Sequence, residues 1–302
     1  MRRKRIRIGA WFFTGLSALC CLVIVVAVAV ILTDIVRHGW PRLSWEFVSS
    51  APRNGMTEGG IWPAIFGTIA LVLLMTLAVV PLGVATAVYL HEYAPQGSWI
   101  VHGVRLALQN LAGVPAIVFG LFGLGFFVQF SGAGIDRLFF GGRLVVGQPC
   151  ILWASLTLAV LTLPTVVVAT EEALRAVPRT YREAAYALGA TRWQMIRRVV
   201  LPQSIGGILT GAILAVSRGA GEVAPILFTG AAYYLPYLPK ALNDQFMELG
   251  YHVYVMTTQA PDVEATKPIL YATVLVLLLV TFGLNFFAVL LRSRIRRRLR
   301  TT

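Results

Sequence analysis

The sequence predicts an all-α membrane protein with six transmembrane helices, on three observations: an apolar composition, six runs of spanning length, and basic residues gathered on alternate connections. Of 302 residues, 57% are hydrophobic and 13% charged, and mean hydropathy is +0.75. A water-facing surface on a chain of this size needs far more charge, so most of the chain faces lipid or other apolar helices. Crossing a ~30 Å hydrocarbon core takes about 20 apolar residues in a helix. Six runs qualify, at residues 11–32, 63–90, 108–130, 150–170, 205–228 and 269–291.

Net charge is +13, and its distribution carries the topology. With residues 2–7 on the cytoplasmic side, six spans return the C-terminus to the same side. Eighteen of the 26 Lys and Arg then fall on inside segments (2–7, Arg105, 171–204 and 292–300) and seven outside, while Arg218 lies within a span. That bias is the positive-inside rule, and it supports six spans independently of hydropathy. Both termini are expected in the cytoplasm. The basic ends suit anionic lipid headgroups, and no nucleic-acid partner is needed to explain them.

The first apolar core exceeds 20 residues, against the 7–15 of a cleavable signal, so it is read as a retained anchor although Ala27-Val28-Ala29 loosely mimics a cleavage site. Residues 1–62 form this anchor and a first outer loop, 63–291 the membrane core, and 292–302 a basic tail. The outer connections (33–62, 131–149 and 230–268) are rich in Gly, Pro and aromatics that suit an interface. Cys20, Cys21 and Cys150 show no metal or disulfide spacing and are expected to be small buried hydrophobes.

Enzyme chemistry lacks its residues. The three lysines, Lys4, Lys240 and Lys267, follow Arg, Pro and Thr, so no Gly-Lys phosphate loop exists. Four scattered histidines form no zinc motif, and no Gly-x-Ser-x-Gly elbow occurs. The chain is expected to be a non-enzyme without a cofactor of its own. Glycines crowd the third span from Gly113 to Gly125 and the fifth at Gly206, Gly207, Gly211, Gly219 and Gly221. Gly207 and Gly211, four apart, suit close helix packing, and a narrow path between helices also needs small residues.

The connection 171–204 reads as a helical hairpin. Pro178 suits a first turn, residues 180–188 form a helix ended by Gly189, and Thr191 with Gln194 makes a capping box for a second short helix stopped before Pro202. Such a hairpin fits a cleft on a cytoplasmic partner; an amphipathic hairpin lying on the membrane is the plainer alternative. Glu183-Ala184-Ala185, Gly189, Val199, Leu201 and Pro202 resemble the EAA loop of ABC importer permeases. The resemblance implies a type I ABC importer permease fold, with the loop docked on an ATP-hydrolysing subunit through Glu183, Ala184, Ala185, Gly189, Leu201 and Pro202.

Further segments are similar to phosphate-transporter permeases of the PstA type. They are Gly113-Val114-Pro115-Ala116-Ile117-Val118-Phe119-Gly120, Leu90-His91-Glu92-Tyr93-Ala94, Gly59-Gly60-Ile61 and Arg218-Gly219-Ala220-Gly221-Glu222-Val223-Ala224-Pro225. Ala116 and Val223 stand where that family carries hydroxyl residues. The resemblance implies inward translocation of inorganic phosphate. Its partners would be a second permease of the PstC type, two ATP-binding subunits of the PstB type that hold the ATP, and a periplasmic phosphate-binding protein.

Arg218 and Glu222 are the two charges of the predicted fifth span. Placing a charge there costs on the order of 2.5–3.5 kcal/mol on insertion scales, so it is retained for a reason. At i and i+4 they share a helix face; the plain reading is a self-neutralising pair, although basic-first is the weaker order. The functional reading puts the Arg218 fork on a passing oxyanion, with Glu222 keeping binding weak enough for release. By residues alone the oxyanion is open: sulfate, molybdate and phosphonate are alternatives, as is a membrane scaffold reporting phosphate status.

Overall fold

A computed structural model describes residues 2–54, 58–95, 97–259 and 263–298. The side chains of segment 2–7 and of Arg296, Arg298 and Arg300, part of the basic ends, lie outside what it describes. Among the described residues, six helices are long and apolar enough to cross a membrane: Trp11–Arg42, Trp62–Tyr93, Ala116–Phe139, Ile151–Arg175, Arg192–Gly219 and Thr266–Ile295. The only strands among the described residues, β1 (Pro52–Arg53) and β2 (Glu58–Gly59), form one short antiparallel ladder in the connection between the first two spans.

Helix α1 (Arg2–Gly39) carries the first span. Short α2 (Trp45–Ser49) starts at Ser44, whose hydroxyl accepts from Phe47 N. The second span is α3 (Trp62–Val88), continued by a π-turn at Tyr89–Tyr93. Helix α4 (Trp99–Leu111) is amphipathic and stands apart, so the third span begins later than expected. Residues 108–111, Leu-Gln-Asn-Leu, end α4, and Pro115, which disfavours helix before it, starts the span at α5 (Ala116–Phe122). A π-helical stretch, Gly123–Gly132, leads into α6 (Ala133–Phe139). The fourth span is α7 (Ile151–Arg175), opening at Cys150.

The hairpin follows. Helix α8 (Arg179–Ala187) starts after Pro178, which occupies the cap rather than the first turn. Gly189 adopts φ +78°, the left-handed conformation that a side chain disfavours, and there the chain turns. Helix α9 (Arg192–Met195) carries the expected capping box: Thr191 accepts from Gln194 N, and Gln194 accepts from Thr191 N. It does not stop before Pro202. A π-turn at Ile196–Val200 joins it to α10 (Leu201–Gly219), giving one continuous helix of 28 residues. The wider turn gives the Pro202 ring room that a regular α-turn withholds.

The fifth span ends at Gly219, not at 228. Residues 220–248 run as turns, then α11 (Leu249–Thr258) precedes α12 (Val263–Arg298), which carries the sixth span. Non-helical backbone at this depth is tolerated where protein surrounds it. Here Ile226 is fully buried and a Cβ on Gly120 would meet the carbonyls of Ala224 and Pro225 at 3.0 and 3.1 Å.

The core is a sandwich of α3, α7 and α10 around Leu71, Met75, Leu158, Val166 and Ala215. Gly207 and Gly211 let α10 approach Ala173 and Ala169 of α7, so their small size serves helix packing. Cys150 is buried as expected, but Cys20 and Cys21 are exposed on the outer surface of α1. A Cβ on Gly67 would overlap the carbonyl of Met247. Gly67→Ala is therefore expected to cost on the order of 1–3 kcal/mol, read as a lower thermal midpoint in detergent.

Candidate functional site: the hairpin and the broken fifth span

The hairpin is strapped to the membrane core by one arginine. Arg182, on α8, donates from Nη2 at 2.8 Å and from Nε at 3.3 Å to Glu92 Oε1. It also reaches carbonyls at and just beyond the end of α7: Nη1 donates to Val177 O at 2.7 Å, and Nη2 to Leu174 O at 2.9 Å, which also accepts from Val177 N at 3.3 Å. Glu92 is only 7% exposed, and His91 Nδ1 lies 2.9 Å from the same oxygen. The second span, the fourth span and the hairpin thus meet at one guanidinium. A parallel tie joins Arg105 of α4 to Glu171 of α7 at 3.1 Å and to the Leu90 carbonyl at 3.3 Å.

The expected docking residues divide. Glu183 and Ala184 are exposed, whereas Ala185 is buried against the protein's own apolar cluster with Val88, Leu174 and Met195. Ala185 is therefore a packing residue, and only Ala184 offers its small side chain outward. Gly189 sits exposed at the turn; Leu201 and Pro202 are half-buried inside the continuous helix, away from the hairpin tip. The tip instead presents Leu188, 89% exposed, with Tyr181, Tyr186 and Trp193 also exposed. No charge or spacing singled out these residues; a large apolar residue beside the turn glycine was the available signal. A cavity of about 310 Å³ lies between the hairpin helices, lined by Leu188, Gly189, Gln194 and Arg198 among others.

At the other end of α10, Arg218 falls in the last turn and Glu222 three residues past Gly219, so they do not share a helix face. They meet because the chain turns there: Glu222 N bonds Gly219 O at 3.5 Å, and Arg218 Nε lies 3.4 Å from Glu222 Oε1. Basic-first order carries no penalty once the acid has left the helix. The contact is long beside the 2.7–2.9 Å of a tight charge-assisted bond and uses Nε alone. Arg218 is 37% exposed and Glu222 24%. Next to them, Ser217 Oγ lies 2.5 Å from Asn285 Oδ1 of α12, a polar contact that one apolar-looking span did not suggest. Gly219 packs on the thioether of Met75.

Deeper in the loop that follows, and outside the six spans, Glu248 caps α11. Its carboxyl accepts from Gly250 N at 2.8 Å and Tyr251 N at 2.6 Å, and Thr68 Oγ1 lies 3.4 Å away. Burial nevertheless pushes it up to about 7, while burial holds His252 down to about 4. A carboxyl whose folded value is raised contributes stability while protonated and loses it as pH climbs from about 4.5 to 7. His252 acts in the opposite direction, gaining from about 4 to 6.5 as the unfolded chain sheds its proton. Glu248→Gln keeps one accepting oxygen and removes the buried charge. It is expected to stabilise the protein at pH 8 by on the order of 3 kcal/mol and to leave it nearly unchanged at pH 5. Thermal unfolding at the two pH values reads the difference; equal shifts at both contradict the assignment.

A family model described as "Binding-protein-dependent transport system inner membrane component" matches residues 79–300. The chain belongs to this family. It is accordingly a multi-pass inner membrane protein and a transporter component. Among relatives of this transport family, the Bacillus subtilis (strain 168) protein named "Probable ABC transporter permease protein YqgI" is 33% identical over 266 residues, covering 83% of this chain and 85% of that one. The Yersinia pestis protein named "Phosphate transport system permease protein PstA" is 38% identical over 205 residues, 66% of this chain and 62% of that one. A bacterial alginate ABC transporter, solved with its alginate-bound periplasmic protein, superposes with TM-score 0.69 at 16% identity over 95% of each chain. The fold is that of type I ABC importer permeases, as the sequence predicts.

Proposed function

We propose that this chain is the membrane-spanning permease of an ATP-driven importer that moves inorganic phosphate inward. Arg218 carries the proposal: a guanidinium at the broken end of a span, held by one long contact to Glu222 with its terminal nitrogens uncommitted to any carboxylate among the described residues. Such a group receives a tetrahedral oxyanion in its fork and returns to Glu222 when the ion leaves. Relatives named as phosphate permeases, and the matching residues at 113–120 and 218–225, support phosphate over other oxyanions.

In this reading the hairpin face and both termini are cytoplasmic, following the basic segments. Glu183, Ala184 and Gly189, with exposed Leu188 and Tyr186, dock on one of two PstB-type ATPases that bind the ATP. A PstC-type permease completes the pore, a periplasmic phosphate-binding protein delivers cargo to the outer loops, and residues 1–62 and 292–302 flank the permease core. Movement of the docked hairpin reaches the second and fourth spans through Arg182.

The decisive experiment reconstitutes the chain with its ATPase, partner permease and binding protein in vesicles. ATP-dependent uptake of labelled phosphate, with sulfate left outside, is the expected result. ATP-driven sulfate uptake without phosphate uptake refutes the substrate, and phosphate uptake independent of ATP refutes the coupling.

A further inference from the structure

A cavity of about 820 Å³ lies between the end of the second span, α4, the end of α7 and the hairpin, and Glu183 and Tyr186 of the proposed docking face form part of its wall. Five arginines line it: Arg105, Arg175, Arg179, Arg182 and Arg192. Two carboxylates, Glu92 and Glu183, share the lining, so the walls carry a surplus of positive charge even before His91 is considered.

The arginines differ in how far they are committed. Arg182 is spent on Glu92 and two carbonyls, and Arg175 reaches Glu172 at 3.4 Å. Arg179 and Arg192 pair with no carboxylate among the described residues; the Arg192 guanidinium lies over the Tyr93 ring, 4.9 Å from its centroid. Arg105 binds through Nη2, and its Nε is buried with no hydrogen-bond partner. A buried donor on a charged fork is costly to leave unmade. All three groups line the same cavity, and arginine's planar donors match tetrahedral oxyanions. Along one edge of the cavity α4 exposes Trp99, Ile100 and Leu106, the residue types of a membrane interface.

We propose that this cavity is a phosphate-group site, separate from the path at Arg218, which binds its ligand through Arg105, Arg179 and Arg192. The recognised chemistry is a tetrahedral phosphate anion. It reaches the cavity either as the headgroup of an anionic phospholipid, entering beside α4, or as free inorganic phosphate from the hairpin side. Either ligand bridges α4, α8 and α9, and so stiffens the hairpin against the ends of the second and fourth spans.

The full transporter complex in phosphatidylcholine nanodiscs tests this in two arms. In the first, phosphatidylglycerol is added and native mass spectrometry counts the molecules retained. In the second, labelled inorganic phosphate is titrated and bound sites are counted. Arg179→Gln with Arg192→Gln is compared with wild type, and Arg137→Gln with Arg143→Gln serves as a charge-matched control on the opposite face. The first pair is expected to weaken binding about tenfold or more, the scale of one or two charge-assisted hydrogen bonds, with the control unchanged. Loss in the lipid arm identifies a headgroup, and loss in the second arm a free ion. Should the double variant fail to assemble, Arg105→Lys keeps a cation beside Glu171 while deleting the Nε donor, and the same loss is expected. Equal binding by wild type and these variants in both arms, as when a docked ATPase fills the cavity, overturns the proposal.

Discussion

Replacing Arg182 by alanine is expected to uncouple the hairpin from the membrane core and to destabilise the hairpin end by about 3–5 kcal/mol, the range for removing one partner of a buried ion pair. Three groups lose a donor at once: the Glu92 carboxylate, 7% exposed and left with His91 alone, and the carbonyls of Leu174 and Val177. On the proposed coupling, uptake in reconstituted vesicles should fall further than ATP hydrolysis, because the partner ATPase would still turn over while its motion no longer reached the second and fourth spans. Arg182→Lys keeps the charge but cannot reach Glu92 and two carbonyls together, so it should retain stability better than coupling. Arg182→Met with Glu92→Leu separates the causes. If the penalty comes from the orphaned carboxylate, the double variant recovers most of the thermal stability that the single variant loses. A double variant as unstable as the single one removes the ion pair from the explanation.

Arg218→Ala is expected to abolish phosphate uptake while the complex assembles normally, because its side chain is bound by one 3.4 Å contact and supports little of the packing. Arg218→Lys should leave partial uptake, as a point charge replaces a two-pronged donor. Glu222→Gln removes the carboxylate to which the guanidinium returns. Transport should slow at saturating phosphate while apparent affinity rises. Wild-type uptake by Arg218→Ala discards the path altogether. Lost uptake with a lost complex would give the residue a structural role instead. The two arginines differ in geometry as well as position: Arg182 makes four contacts to three groups, and Arg218 makes a single long one. The first arrangement holds a structure, and the second leaves a charge available.

Much of this architecture is written in local sequence. All six spans were legible because a lipid-facing helix must be apolar over its whole length, and the hairpin announced itself through Gly189 and the Thr191–Gln194 box. The failures have physical reasons. Residues 220–228 are nearly as apolar as a helix, but they leave it at Gly219, with Pro225 and Ile226 buried in the protein and Gly120 of α5 against their backbone, so hydropathy could not distinguish such turns from a span. Leu108 and Leu111 finish one half-buried face of α4, with exposed Gln109 and Asn110 between them, and do not start a span. Pro202 signals a stop wherever a regular α-turn precedes it, and here a π-turn does. Glu92 and Arg182 are 90 residues apart, and nothing in either neighbourhood names the other. Their meeting required the fold.

The continuous helix from Arg192 to Gly219 has a mechanical consequence. Its 28 residues form a rod about 40 Å long at 1.5 Å per residue, with the hairpin turn at one tip and Arg218 near the other. A swing of about 5° about the hairpin end would carry Arg218 through roughly 3–4 Å, estimated from the rod length. That is comparable with the 3.4 Å separating it from Glu222. On the proposed coupling, this rod would carry hairpin motion to Arg218 while the Arg182 tie carries it to the second and fourth spans. In the proposed reading the π-turn at Ile196–Val200, where the regular i→i−4 bonding is interrupted, would be the joint of this lever.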